Sequence, residues 1–226
     1  MTLRPAIPIY QERGSVLVTA PASEPVTATE LRTHLRVDST ELPDGEANSL
    51  IVEARQMIED QTGLAFISQS WRLSIDRWPG GQEAWWDGVR QMAISELYSA
   101  GQITSLALPR WPLASITSVT VYDEDSNSEA VTIADTFDID TYQVPGRLTL
   151  KRGSTWPIAL RANNAIQIVY VAGYANAAAV PATMKRALKS MAAFLYTNRG
   201  DQCSPADAFE KSGAGQIMGI YRPARI

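Results

Sequence analysis

From about residue 46 to residue 76 the apolar side chains change their spacing from helical to alternating, and no single regular structure accommodates both patterns. Leu50, Ala54, Met57 and Ile58 fall at helical steps and share one face of a helix over 46–62, with Gly63 placed to end it in the left-handed conformation. Pro43 and Asp44 mark a turn over 38–45 ahead of it. Immediately afterwards Trp71, Leu73 and Ile75 alternate with Ser70, Arg72, Ser74 and Asp76, the pattern of a half-buried strand over 69–76. A chain that switches period in this way has to combine helices with a sheet.

The remaining segments extend both classes. Thr27 and Glu30 stand at capping-box spacing, and Leu31 and Leu35 follow four apart, which predicts a short amphipathic helix over 28–37. Strand patterns recur at 103–108, 116–122, 141–144, 147–151 and 165–172. They are separated by a polar loop at 123–129 and by the Pro145-Gly146 turn signal. Helix returns after Pro181, where Met184, Leu188, Met191 and Leu195 form one apolar stripe that Arg199-Gly200-Asp201 terminates. Lys185, Arg186 and Lys189 lie on its other faces.

The reading is therefore α+β: a small helical bundle formed by 28–66 and 181–200, with an antiparallel β-sheet or sandwich inserted over 67–180. Residues 1–27 form an extended, proline-containing leader, and 201–226 form an extended C-terminal arm that is expected to order only against a partner. The arm has glycines at 213, 215 and 219 and carries Phe209, Ile217, Ile220 and Tyr221 as apolar anchors, with Arg222 and Arg225 as polar contacts.

Composition narrows the function. The chain has 226 residues, 45% hydrophobic and 19% charged, which suits a folded protein with a substantial core. Its formal net charge is −4 and its cations are not clustered, which argues against a nucleic-acid-binding surface. The single cysteine, Cys203, excludes an internal disulfide and a thiolate zinc cage. No stretch approaches the ~18 continuous apolar residues of a membrane span, and no secretory leader is visible, so synthesis in the cytosol is expected.

Catalytic constellations do not emerge. The one histidine, His34, sits beside Thr33 within the first helix, away from any nucleophile elbow. No HExxH or DxDxDG pattern occurs. Asp123, Glu124 and Asp125 cluster in a polar loop that reads better as solvated than as a cation site. Gly213, Gly215 and Gly219 lack the strand, helix and Lys-Ser/Thr ending of a phosphate loop. No metal, cofactor or catalytic residue is expected, and no particular carboxylate pair recommends itself. A β-sandwich binding module for carbohydrate or protein, with Trp85, Trp86 and Trp111 as a stacking platform in the carbohydrate case, is the alternative reading.

In order along the chain, several runs resemble one family. They are Glu24-Pro-Val-Thr-Ala-Thr-Glu-Leu-Arg-Thr-His-Leu-Arg-Val-Asp38, then Ala54-Arg-Gln-Met-Ile-Glu-Asp-Gln-Thr-Gly-Leu-Ala-Phe-Ile67 and Gln69-Ser-Trp-Arg-Leu-Ser-Ile-Asp-Arg-Trp-Pro-Gly80. Leu108-Pro-Arg-Trp-Pro-Leu-Ala-Ser-Ile116, Pro145-Gly-Arg-Leu148, Trp156-Pro157, Val169-Tyr-Val-Ala-Gly-Tyr174 and Tyr221-Arg-Pro223 continue the series. Together they resemble the tailed-phage head–tail connector proteins, the adaptors that sit on the portal. An extra segment at 81–103, containing Trp85 and Trp86, departs from the shorter members. Those tryptophans are either a contact for another ring or the tail, or a cover for the edge of the inserted sheet.

The resemblance implies a non-enzymatic structural protein in the neck of a phage or phage-like particle. It implies a homo-oligomeric ring of twelve copies that docks on the portal protein and extends the DNA channel. A stopper or tail-completion protein would bind below, and packaged DNA would pass without sequence-specific contact.

Overall fold

In a computed structural model the described residues are 14–79, 105–151, 154, 156–199 and 204–221. The fold is α+β, as the two periodicities require, and it divides into two compact units.

The helical unit draws on Val18–Ser70, Arg110–Ala114 and the chain from Val171 onward. Helix α1 (Ala28–Leu35) starts at the expected capping box: the Glu30 N–H donates to the Thr27 hydroxyl, and the Thr27 N–H donates to the Glu30 carboxylate at 2.8 Å. Helix α2 (Asp44–Thr62) ends at Gly63, whose φ of 73° is the expected left-handed cap. Its buried face is Ala47, Ile51, Ala54 and Ile58, while Leu50 and Met57 lie half-buried at the margin.

Sheet strands begin with β1 (Ser15–Thr19) and β2 (Gln69–Ile75). In β2 the residues 69, 71, 73 and 75 are buried and Arg72 is exposed, as the alternation demanded. Strands β3 (Ser105–Ala107), β4 (Leu113–Tyr122) and β5 (Ser128–Ala130) follow. A single helical turn, α3 (Ile133–Thr136), leads into β6 (Phe137–Asp140), β7 (Arg147–Leu150) and β8 (Ile166–Ala172). One sheet has the order β1-β2-β8-β4-β5, the other β3-β7-β6. The β3–β7, β6–β7 and β4–β5 pairs are antiparallel. Trp78, Phe137 and Trp156 cluster with ring centroids 5.2–6.1 Å apart and anchor the core of the β-rich unit.

The long C-terminal helix α4 (Ala182–Thr197) buries Met184, Leu188 and Met191, with Leu195 half-buried along the same stripe. It packs against α1 and α2. Two short helices complete the unit: α5 (Pro205–Lys211) and α6 (Ala214–Met218).

Three expectations are corrected. Residues 204–221 are not an extended arm: α5 and α6 fold onto α4, and Phe209 and Met218 join the helical core. The leader contributes an edge strand, β1, and Val26 is buried. Residues 141–144 are not a strand. The Asp140 carboxylate accepts the N–H groups of Tyr142 and Gln143 at 3.1 and 3.2 Å, a local turn that displaces the strand to β6.

Candidate functional site

The C-terminal segment is where sequence analysis located a partner contact, and its construction separates the candidate residues. Ser204 caps α5 by accepting the Asp207 N–H at 3.1 Å, with Pro205 in the first turn. Phe209, on the inner face of α5, is only 2% exposed. Gly213, at φ 75°, reverses the chain into α6. A Cβ on Gly215 would meet only the Glu210 carboxylate, at 2.9 Å, the far end of an exposed side chain that can swing aside.

After α6 a 3-10 turn, Gly219–Tyr221, ends the described chain. Ile217 and Tyr221 are half-buried against the helical core, and the Tyr221 hydroxyl contacts that of Thr183. Ile220 points away, 78% exposed. Of the four apolar anchors, then, Phe209 is committed to its own core, Ile217 and Tyr221 are partly committed, and Ile220 alone is wholly available. Arg222 and Arg225 lie outside the described residues, as do Trp85, Trp86 and Cys203.

Two further exposed features carried no periodic signal in the sequence. At the sheet edge Val16, Leu17 and Val18 are 50%, 41% and 53% exposed. Between β6 and β7, Tyr142 is 97% exposed on a loop held by Asp140, which also accepts from Arg147 at 3.1 Å. Hydrogen bonding by Arg147 and by the two backbone N–H groups lowers the Asp140 carboxyl below its ordinary value.

The stacking platform is overturned at Trp111. This side chain is 5% exposed within the helical core, and its indole N–H donates to the Thr62 carbonyl at 3.1 Å. His34 is exposed beside Thr29, Glu30, Thr33 and Lys189 in a shallow depression. Burial, Lys189 and Arg186 lower its ordinary value, and the neighbouring Thr33 hydroxyl is spent on the Thr29 carbonyl at 2.8 Å. Asp123 folds its own loop, accepting the Asn127 N–H at 2.8 Å and its side-chain amide at 2.9 Å. Among the described residues no group of three or more His, Cys, Asp or Glu side chains could hold a metal. No helix among them is long and apolar enough to cross a membrane.

One buried polar network proves to be architectural. Arg55 donates to Glu24 and to Glu59, each at 2.8 Å. Glu59 also accepts the Phe66 N–H at 2.9 Å and the Gln69 amide at 3.0 Å. Burial raises the Glu59 carboxyl above its ordinary value, opposed chiefly by Arg55. The Arg55–Glu59 pair lies within α2, and the bonds to Glu24, Phe66 and Gln69 tie that helix to the chain before and after it.

No protein-family model matches the chain. No curated protein sequence matches it. Its fold, however, is shared with solved structures. A chain from the neck of an empty gene transfer agent particle, computed with C6 symmetry, superposes with a TM-score of 0.69 at 21% identity. The match covers 94% of this chain and 96% of that one. Chains from the virion of the native gene transfer agent particle and from its neck computed with C12 symmetry give 0.67 and 0.62, with the same identity and coverage.

Proposed function

We propose that this protein is a structural head–tail connector of a tailed phage or phage-like particle. Copies of it form a ring that docks on the portal, extends the DNA channel and offers a platform to a stopper or tail-completion protein. The carrying observation is that the likeness to neck chains runs through 94% of this chain and 96% of theirs, so it embraces both units rather than a common module. A non-enzymatic, structural role accords with the likeness to chains of a particle's neck and virion.

Binding would then reside in exposed apolar groups repeated around the ring, where many modest contacts add through avidity. Ile220 is the proposed portal contact, supported at its margin by Tyr221 and Ile217 and by Arg222 and Arg225 beyond. Trp85 and Trp86 remain proposed contacts to a neighbouring ring or the tail. The net charge of −4 suits a channel through which DNA passes without being held.

The test is co-sedimentation of the purified protein with portal rings encoded by a neighbouring gene, followed by imaging of the pellet. A ring of added density at the narrow end of the portal is expected. Folded protein left in the supernatant would refute the reading.

A further inference from the structure

Several arginines of this chain find a carboxylate nearby. Arg32 meets Asp44 at 2.6 Å, Arg110 meets Asp60 at 3.0 Å, and Arg199 meets Glu46 at 2.7 Å. Two clusters of charge stand outside that pattern. Lys185, Arg186 and Lys189 of α4 have no carboxylate at ion-pair distance among the described residues. Lys185 and Lys189 are one turn apart and share a face. Lys189 lines the shallow depression formed with Thr29, Thr33 and His34 of α1. Glu30 shares that depression within electrostatic reach of both lysines, but its carboxylate is engaged by the Thr27 N–H and hydroxyl at 2.8 and 3.1 Å.

The second cluster is acidic. Glu124, Asp125 and Glu129 are exposed on the β4–β5 hairpin, and among the described residues no cation stands at ion-pair distance from them. The hairpin is a firm mount. Val121 pairs with Glu129 and Tyr122 with Ser128, while Asp123 holds the loop through the backbone and side chain of Asn127. Arg161 lies beside the loop but is engaged elsewhere, donating to the Asn164 carbonyl at 2.9 Å and covering the Tyr122 ring. Cations are thus left over in the helical unit and carboxylates in the β-rich unit, and the two clusters do not pair within one copy.

We propose that the cationic α1–α4 face of one copy receives the acidic β4–β5 hairpin of the next copy. This rests on the ring reading above. Charge complementarity selects the occupant: three unpaired cations on one surface answer three unpaired carboxylates on another. Because the two surfaces differ, the contact can run head to tail from copy to copy, as a closed ring requires. Each exposed pair contributes little to affinity by itself. Its larger effect is on register and on the exclusion of wrong partners, since like charges brought face to face repel strongly.

Charge reversal in the full-length chain tests this. One variant is Lys185→Glu/Lys189→Glu, another is Glu124→Lys/Glu129→Lys, and a third carries all four changes. Oligomeric state is read by sedimentation and mass photometry, with and without portal rings. Circular dichroism and thermal melts establish folding, which is expected to persist because none of the substituted side chains is buried. Each two-site variant alone should need roughly tenfold or more higher concentration to assemble than wild type. An equimolar mixture of the two should recover, because every contact between unlike chains again joins opposite charges. The four-site variant should recover for the same reason.

Assembly of either two-site variant at the wild-type concentration would overturn the proposal. So would failure of the mixture or of the four-site variant to recover, or a wild-type chain that stays monomeric with and without portal. Binding of a duplex oligonucleotide that Lys185→Glu/Lys189→Glu abolishes without altering assembly would also overturn it, and would assign the face to phosphates. Rings that show the recovery by charge exchange but ignore the portal would sustain this contact while refuting the adaptor reading.

Discussion

Carboxylates that accept backbone N–H groups recur at several points where the chain changes direction. Glu30 closes the cap of α1, Asp38 accepts from Thr40 and Glu41, and Asp140 fixes the loop that carries Tyr142. These hydrogen bonds lower each carboxyl below its ordinary value. Their stabilisation is present above the unfolded carboxylate range and is lost as pH falls through the lowered native values. Urea midpoints measured across a pH series should therefore drop through the acid range, and Glu30→Gln should flatten part of that dependence. At neutral pH, Thr27→Ala should cost about 1 kcal/mol, since it removes the other half of the capping box. The Arg55 network is a harsher case. Arg55→Ala leaves Glu24 and Glu59 without their cation and should destabilise by about 3–5 kcal/mol in chemical denaturation.

At the level of elements, close backbone approach matters as much as side-chain pattern. Gly173, directly after β8, has φ 110°, and a Cβ there would lie 2.4 Å from the Ile67 carbonyl oxygen. Both strain and collision oppose any side chain. Gly173→Ala should lower stability by more than about 2 kcal/mol, whereas alanine at Gly45, where nothing lies near, should be neutral or stabilising. Thermal melts of the two variants would separate these outcomes. Helices α1, α2 and α4 and strands β2 and β8 were legible in the sequence because each buries one regular face. Strand β6 was not. It alternates Phe137 and Ile139 with two aspartates over only four residues, and Ile139 is 42% exposed. Helix α5 did leave a readable start, Ser204 followed by Pro205 and Asp207, but the glycines beyond it suggested an extended arm.

For the whole molecule, legibility runs opposite to function. Periodicity identifies residues that face inward, while the proposed connector role would act through those left outside. Phe209 and Ile220 are both large apolar residues of the same glycine-rich tail, and the sequence offers no reason to separate them. The fold does: Phe209 is 2% exposed and Ile220 is 78% exposed. Phe209→Ala should therefore act on stability, costing about 3–5 kcal/mol by opening a cavity beside α4 and α6. Ile220→Asp should leave the melting temperature within about two degrees, because an exposed substitution of this kind changes stability by no more than roughly 0.5 kcal/mol. Its expected effect is on portal co-sedimentation, which should fall well below wild type. Removing residues 202–226 would confound the two effects by stripping Phe209, Ala214 and Met218 from the core. Retention of full portal binding by Ile220→Asp would exclude this residue as the contact and shift attention to the half-buried Ile217 and Tyr221. Loss of binding by Phe209→Ala in a chain of unchanged stability would mean instead that α5 leaves its own core when the portal is engaged.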